Sequence, residues 1–185
     1  MKPLLWIIAA LLVGGAIVFA SALRTRRTLP PLELPDGERL PKTELQRRAA
    51  RALLAVLVLT AAAAGLLVWV GPQTWWEVDA VRHTVTALLL SGLLVYLFFT
   101  LGVRKLEAGG DGKLDERDSA IMARSSAGVG GAMMVVIAAW MIGLIEAHIE
   151  TRLVPSYFLY LIFWSMVMTN AIASLAGILL AYRRN

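Results

Sequence analysis

Few side chains in these 185 residues are suited to chemistry, and they gather in a small number of places. The chain has two histidines, His83 and His148, and each has carboxylates near it in sequence: Glu77 and Asp79 for the first, Glu146 and Glu150 for the second. Imidazole nitrogen and carboxylate oxygen are the ligands of a zinc-type site, and a pair of imidazoles is an axial set for a non-covalent haem. Either centre requires His83 and His148 to come from neighbouring helix ends. Within one helix Glu146 and Glu150 share a face while His148 points elsewhere, so a metal on all three needs a loop to re-aim its ligands. With no cysteine in the chain, thiolate metal sites, disulfides and cysteine nucleophiles are removed together. The reading these residues favour is a set of ordinary interfacial side chains with no cofactor.

A second cluster is the stretch DGKLDERDSAI, residues 111 to 121. Asp111, Asp115, Glu116 and Asp118 could gather a hard cation through oxygen ligands, but the spacing matches no cation-loop motif. Helix initiation is the simpler account. Asp115 suits an N-cap, Asp118 at the third helical position can reach back, and Glu116 adds a carboxylate at the positive end of the helix dipole. The cluster Asp115, Glu116, Arg117, Asp118 then starts a helix or docks a cytoplasmic partner, and Arg124 snorkels to phosphate. A third place is Asn170, the deepest strongly polar side chain in any apolar run. It predicts an interhelical hydrogen bond or, in the sharper reading, a polar contact in a solute path. The sequence has no serine with base and acid partners, no metalloprotease helix and no phosphate-binding loop, so no enzyme is expected.

The elements that carry these residues are written in the composition: 58% hydrophobic, 17% charged, mean hydropathy +0.69. That apolar content exceeds what a soluble core of this size can hide. Five stretches are long enough to cross about 30 Å of hydrocarbon, which takes about 20 helical residues. They run 4–22, 52–70, 84–103, 127–147 and 156–182. The expected fold is an all-α integral membrane protein with five transmembrane helices. Residues 1–51 form an N-terminal anchor with a Pro- and Arg-rich linker, and residues 52–185 a four-helix bundle. Thr43 and Gln46 have the spacing of a capping box, which predicts a helix running from there into the second span.

Fifteen of the eighteen Lys and Arg residues lie between spans one and two, between spans three and four, or after span five. Lys2, Arg82 and Arg152 alone fall on the other side. The positive-inside rule therefore puts the N-terminus outside and the C-terminus in the cytoplasm. Trp75, Trp76, Tyr157, Tyr160 and Trp164 fall at the predicted outer interface, where amphipathic rings favour the headgroup layer. The first span also resembles a secretion signal, with Ala20, Ser21 and Ala22 as a cleavage triplet. Cleavage would leave the Arg-rich segment outside against the charge rule, so an uncleaved anchor is preferred.

Arg47, Arg48 and Arg51 are expected at anionic headgroups, with lipid rather than nucleic acid as the partner, because no recognition motif or aromatic interleaving accompanies them. Small residues recur every fourth position at Ala123, Ala127 and Gly131, and again at Ala173, Gly177 and Ala181, which permits close packing within the chain, in a homo-oligomer or against another membrane protein.

The string LDERDSAIMARSSA, followed by a glycine-rich span, Pro155, a last span and a terminal YRR, resembles small prokaryotic membrane proteins of domain-of-unknown-function family 2178. Asp115, Glu116, Arg117, Ile121 and Ala123 carry the likeness, over roughly residues 82 to 185. It implies a multi-pass membrane protein without an assigned activity. The expected role is non-enzymatic: accessory, assembly or regulatory work through helix packing and the basic face. The alternatives are a small transporter or channel using Asn170 and Glu146, and a haem- or metal-binding subunit using His83 and His148.

Overall fold

The computed structural model describes residues 44–71, 74–108, 116–151 and 153–182. The predicted first span, its linker, Asp111 and Asp115 lie outside the described residues. Five helices follow one another: α1 Glu44–Val70, α2 Thr74–Glu77, α3 Asp79–Ala108, α4 Glu116–His148 and α5 Tyr157–Tyr182. No strand occurs among the described residues. Four segments are long and apolar enough to cross a membrane: Glu44–Val70, Asp79–Val103, Gly128–His148 and Tyr157–Tyr182. Hydrocarbon offers backbone groups no partners, so each of these runs closes its hydrogen bonds internally.

Helix ends follow local chemistry. At the start of α1 the Glu44 carboxylate accepts from Arg48 Nε at 2.8 Å and lies 3.5 Å from Arg47, on adjacent turns at the positive dipole end. The helix then passes residue 51 without a break, so the predicted division between linker and bundle is not a break in secondary structure. α1 stops at Gly71, whose φ of +94° suits only glycine and whose N–H returns to the Leu67 carbonyl at 3.0 Å. The segment after it is not the simple interfacial loop expected of Trp75 and Trp76. It contains the single turn α2, and Trp75 is fully buried.

α5 is the centre of the bundle, packed against α4, α1 and α3, while α1 and α3 also pack along each other and α4 leans chiefly on α5. The buried positions of α5 from Trp164 run through Met168, Ala171, Leu175, Ile178 and Tyr182 in alternating steps of four and three. Those of α1, Leu45, Ala49, Ala52, Val56 and Ala63, keep the same rhythm. A period of 3.5 is the mark of helices crossing at about 20° with a seam that stays on the partner. The two seams are complementary in size, small on α1 and large on α5.

Cross-contacts give the register. Thr86 pairs with Tyr160 and Tyr96 with Ser174, so α3 and α5 run parallel. Trp140 pairs with Ser165 and Asp118 with Tyr182, so α4 and α5 run antiparallel. Gly92 marks a close approach of α3 to α5 and α1. A Cβ built there would meet Met168 Sδ at 3.3 Å and Leu59 Cβ at 3.9 Å.

Outside the seams the surface is apolar. Leu54 and Val58 on α1, Leu94 and Phe98 on α3, Met134 and Ile142 on α4, and Leu159 and Phe163 on α5 are all exposed. A continuous apolar belt of this extent is stable against lipid and unstable against water.

Candidate functional site

At the end where α1 begins and α5 finishes, the charge cluster resolves into something other than a solvated cap. The Asp118 side chain is 4% exposed, and the Tyr182 hydroxyl donates a hydrogen bond to its Oδ1. The carboxylate therefore reaches across the bundle to a residue on α5, while the Asp115 end of the expected capping box lies outside the described residues. Tyr182 belongs to the same buried cluster as Leu45, Ala49, Ile121 and Ile178, which seals this end. Of the other cluster members, Asp115 is outside the described residues and Glu116 and Arg117 open α4. The side chain of Arg124, like those of Glu116 and Arg117, lies outside the description.

The basic side chains at this end are disposed on α1. Glu44 holds Arg48 and, more loosely, Arg47, and both pairs are about half exposed. Arg51 is exposed and enters no ion pair among the described residues.

In the middle of the bundle three polar groups differ in how they are satisfied. Tyr96 donates to Ser174 at 3.4 Å, a long bond between α3 and α5. The Thr60 hydroxyl is buried with no partner. Asn170 is half-buried on α5, and the interhelical hydrogen bond expected of its amide is not formed among the described residues.

The opposite end is aromatic. Trp75 packs edge-on to Trp76 at 5.3 Å and to Tyr157 at 6.4 Å, and lies 5.6 Å from Tyr160, which continues to Trp164 at 6.2 Å. The Trp75 Nε1 is buried without a partner. Arg82 clamps this group: it donates to the Trp76 carbonyl at 3.0 Å and to Asp79 at 2.6 Å, with its guanidinium 5.4 Å above the Trp76 ring. A shared hydrogen bond of 2.6 Å between Thr86 and Tyr160 ties α3 to α5 beneath it. Sequence reasoning placed these rings at an interface and missed that they form the packing of the bundle end. The signal available was the tandem Trp75–Trp76 next to Arg82.

The histidines do not meet. His83 is exposed on α3, whereas His148 sits at the end of α4 with Nδ1 3.2 Å from the Leu144 carbonyl and its ring edge-on to Phe158 at 5.3 Å. α3 and α4 each pack on α5 rather than along one another, and no interaction joins the two imidazoles among the described residues. Glu146 is exposed on α4 and Glu150 lies in the turn beyond it. Among the described residues no group of three or more His, Asp or Glu side chains is arranged to hold a metal. Small residues also divide. A Cβ on Gly131 would touch nothing within 4 Å, so this glycine faces outward, while Ala173 and Gly177 are half-buried.

No protein-family model, curated protein or solved structure matches the chain. The class that the fold itself supports is an all-helical protein, with four helices long and apolar enough to cross a membrane among the described residues.

Proposed function

We propose that this chain is a multi-pass protein of a prokaryotic cytoplasmic membrane, with its basic end in the cytoplasm, acting without catalysis as an accessory, assembly or regulatory component. It works by packing its helices against another membrane protein or a second copy, with Arg47, Arg48 and Arg51 against anionic headgroups. The kinship with family 2178 belongs to the same proposal. The observation that carries it is Asn170: an amide in the middle of an apolar helix whose hydrogen-bonding groups find no partner among the described residues. In hydrocarbon an unpaired amide is costly, and a helix that approaches α5 and accepts or donates there relieves that cost. Isolation in mild detergent from its native membrane tests this. A protein that co-purifies with the wild-type chain and is lost with Asn170→Leu supports the reading, and repeated recovery of a lone chain in both cases overturns it.

The same unpaired amide favours a second reading, in which Asn170 lines a solute path. Flux into vesicles that is unchanged by Asn170→Leu and Glu146→Leu would remove that reading.

A further inference from the structure

Between α1 and α3, toward the basic end, a groove of about 340 Å³ opens on the bundle surface, lined among others by Arg48, Arg51, Val95, Phe98, Phe99 and Gly102. It is shallow and open along the side that faces away from the bundle. Its chemistry changes along its length. From Gly102 to Val95 is seven residues of α3, about 10 Å of rise, and over that distance the lining passes from guanidinium to phenyl and isopropyl groups. Gly102 makes the polar part possible. The nearest atom to a Cβ built there is Arg48 Nη1 at 3.8 Å, so any larger side chain would fill the space beside the guanidinium.

Among the described side chains the charge at the mouth is unbalanced: Arg48 and Arg51 line it, and the nearby carboxylate of Glu44 engages Arg48 and Arg47 and leaves Arg51 without an ion pair. A groove with surplus positive charge at the membrane edge and hydrocarbon leading inward is complementary to one amphiphile, negative at its head and apolar in its tail. Free phosphate would leave the phenyl floor uncovered, and a zwitterionic lipid brings its own cation to a cationic mouth. We infer that this groove binds a single anionic glycerophospholipid, its phosphodiester between Arg48 and Arg51 and one acyl chain along Val95, Phe98 and Phe99. The inference rests on the membrane reading above and goes beyond general headgroup attraction by naming a discrete site. Guanidinium forks bind phosphate bidentately, which favours one held lipid over a diffuse layer.

The test uses the full chain purified in mild detergent, titrated with short-chain phosphatidylglycerol or phosphatidylcholine and read by native mass spectrometry. One saturable phosphatidylglycerol per chain is expected, with phosphatidylcholine at least tenfold weaker. Arg51→Gln should weaken binding about fivefold and the double variant Arg48→Gln/Arg51→Gln about 25-fold, from the contribution of each cation near an anionic headgroup. Gly102→Leu should abolish saturable binding with every charge in place, while far-UV circular dichroism and elution volume stay those of the wild type. Equal retention of the two lipids, or uptake of several lipids that Gly102→Leu does not change, overturns the site. So does rapid disulfide crosslinking of Phe98→Cys chains in vesicles, since the protein is otherwise free of cysteine and a second copy would then cover the groove. Extraction of the wild-type chain by alkaline carbonate would overturn the membrane reading itself, whereas a chain that resists extraction but binds the two lipids equally loses only the site.

Discussion

Replacing Tyr182 by Phe deletes one oxygen and keeps the ring that fills the end of α5, so it removes the bond to Asp118 without emptying the site. Both partners are buried, at 7% and 4% exposure, and the acceptor is a carboxylate. Hydrogen bonds to charged groups contribute about 1.5 to 3 kcal/mol, and a buried carboxylate that loses its donor also keeps its desolvation cost. Tyr182→Phe should therefore destabilise the bundle by about 2 kcal/mol, at the upper end of what polar contacts in membrane helices contribute. Asp118→Leu should cost less, because it removes the charge together with the need for a partner. The double variant Asp118→Leu/Tyr182→Phe should lie closer to wild type than the sum of the two, with a coupling of about 1.5 to 3 kcal/mol, since two apolar groups replace a polar pair. Reversible unfolding in mixed micelles, titrated with a denaturing detergent and followed by far-UV circular dichroism, measures all four species of the cycle. A coupling below about 0.6 kcal/mol, the average for a hydrogen bond between membrane helices, would refute the claim that this pair fastens α4 to α5.

The same unfolding assay reads several other changes. Gly92→Ala should change stability by less than about 1 kcal/mol because the Met168 thioether can give way, whereas Gly92→Val should cost about 1 to 3 kcal/mol and recover on combination with Met168→Ala. Trp75→Ala empties a fully buried site and should cost about 3 to 5 kcal/mol, while Trp69→Ala, at an 83% exposed position, should cost less than about 0.5 kcal/mol. Gly71→Ala meets no atom within 4 Å and should still cost about 1 to 2 kcal/mol, purely from its φ of +94°. For the orientation, a membrane-impermeant thiol reagent should label Thr151→Cys in intact cells and Arg47→Cys only after permeabilisation; the reverse pattern would overturn the orientation.

Much of the architecture is legible in the residues alone. Apolar runs of the length seen here have to be helices in hydrocarbon unless they close into a barrel, and the four spans from Ala52 onward coincide with observed helices, the last starting one residue later than expected, at Tyr157. The spacing of Thr43 and Gln46 likewise announces the helix that begins at Glu44 and continues into the membrane-length run. What the residues could not show is which side of each helix faces inward. In water a core-facing stripe stands out against polar neighbours, but lipid tails are as apolar as leucine, so the exposed Leu94 and the buried Leu89 carry the same signal.

The tertiary structure alone decided the pairings that follow from that choice. It buried Asp118 against Tyr182, buried Trp75 beneath Tyr157 and Tyr160, seated Met168 against Gly92, and packed the helices of His83 and His148 on α5 rather than along each other. Hydrophobicity and charge placement depend on the solvent around each residue and are therefore written locally along the chain. Contact between residues 64 positions apart depends on how whole helices turn and settle against one another, and the packing of the complete bundle selects that arrangement.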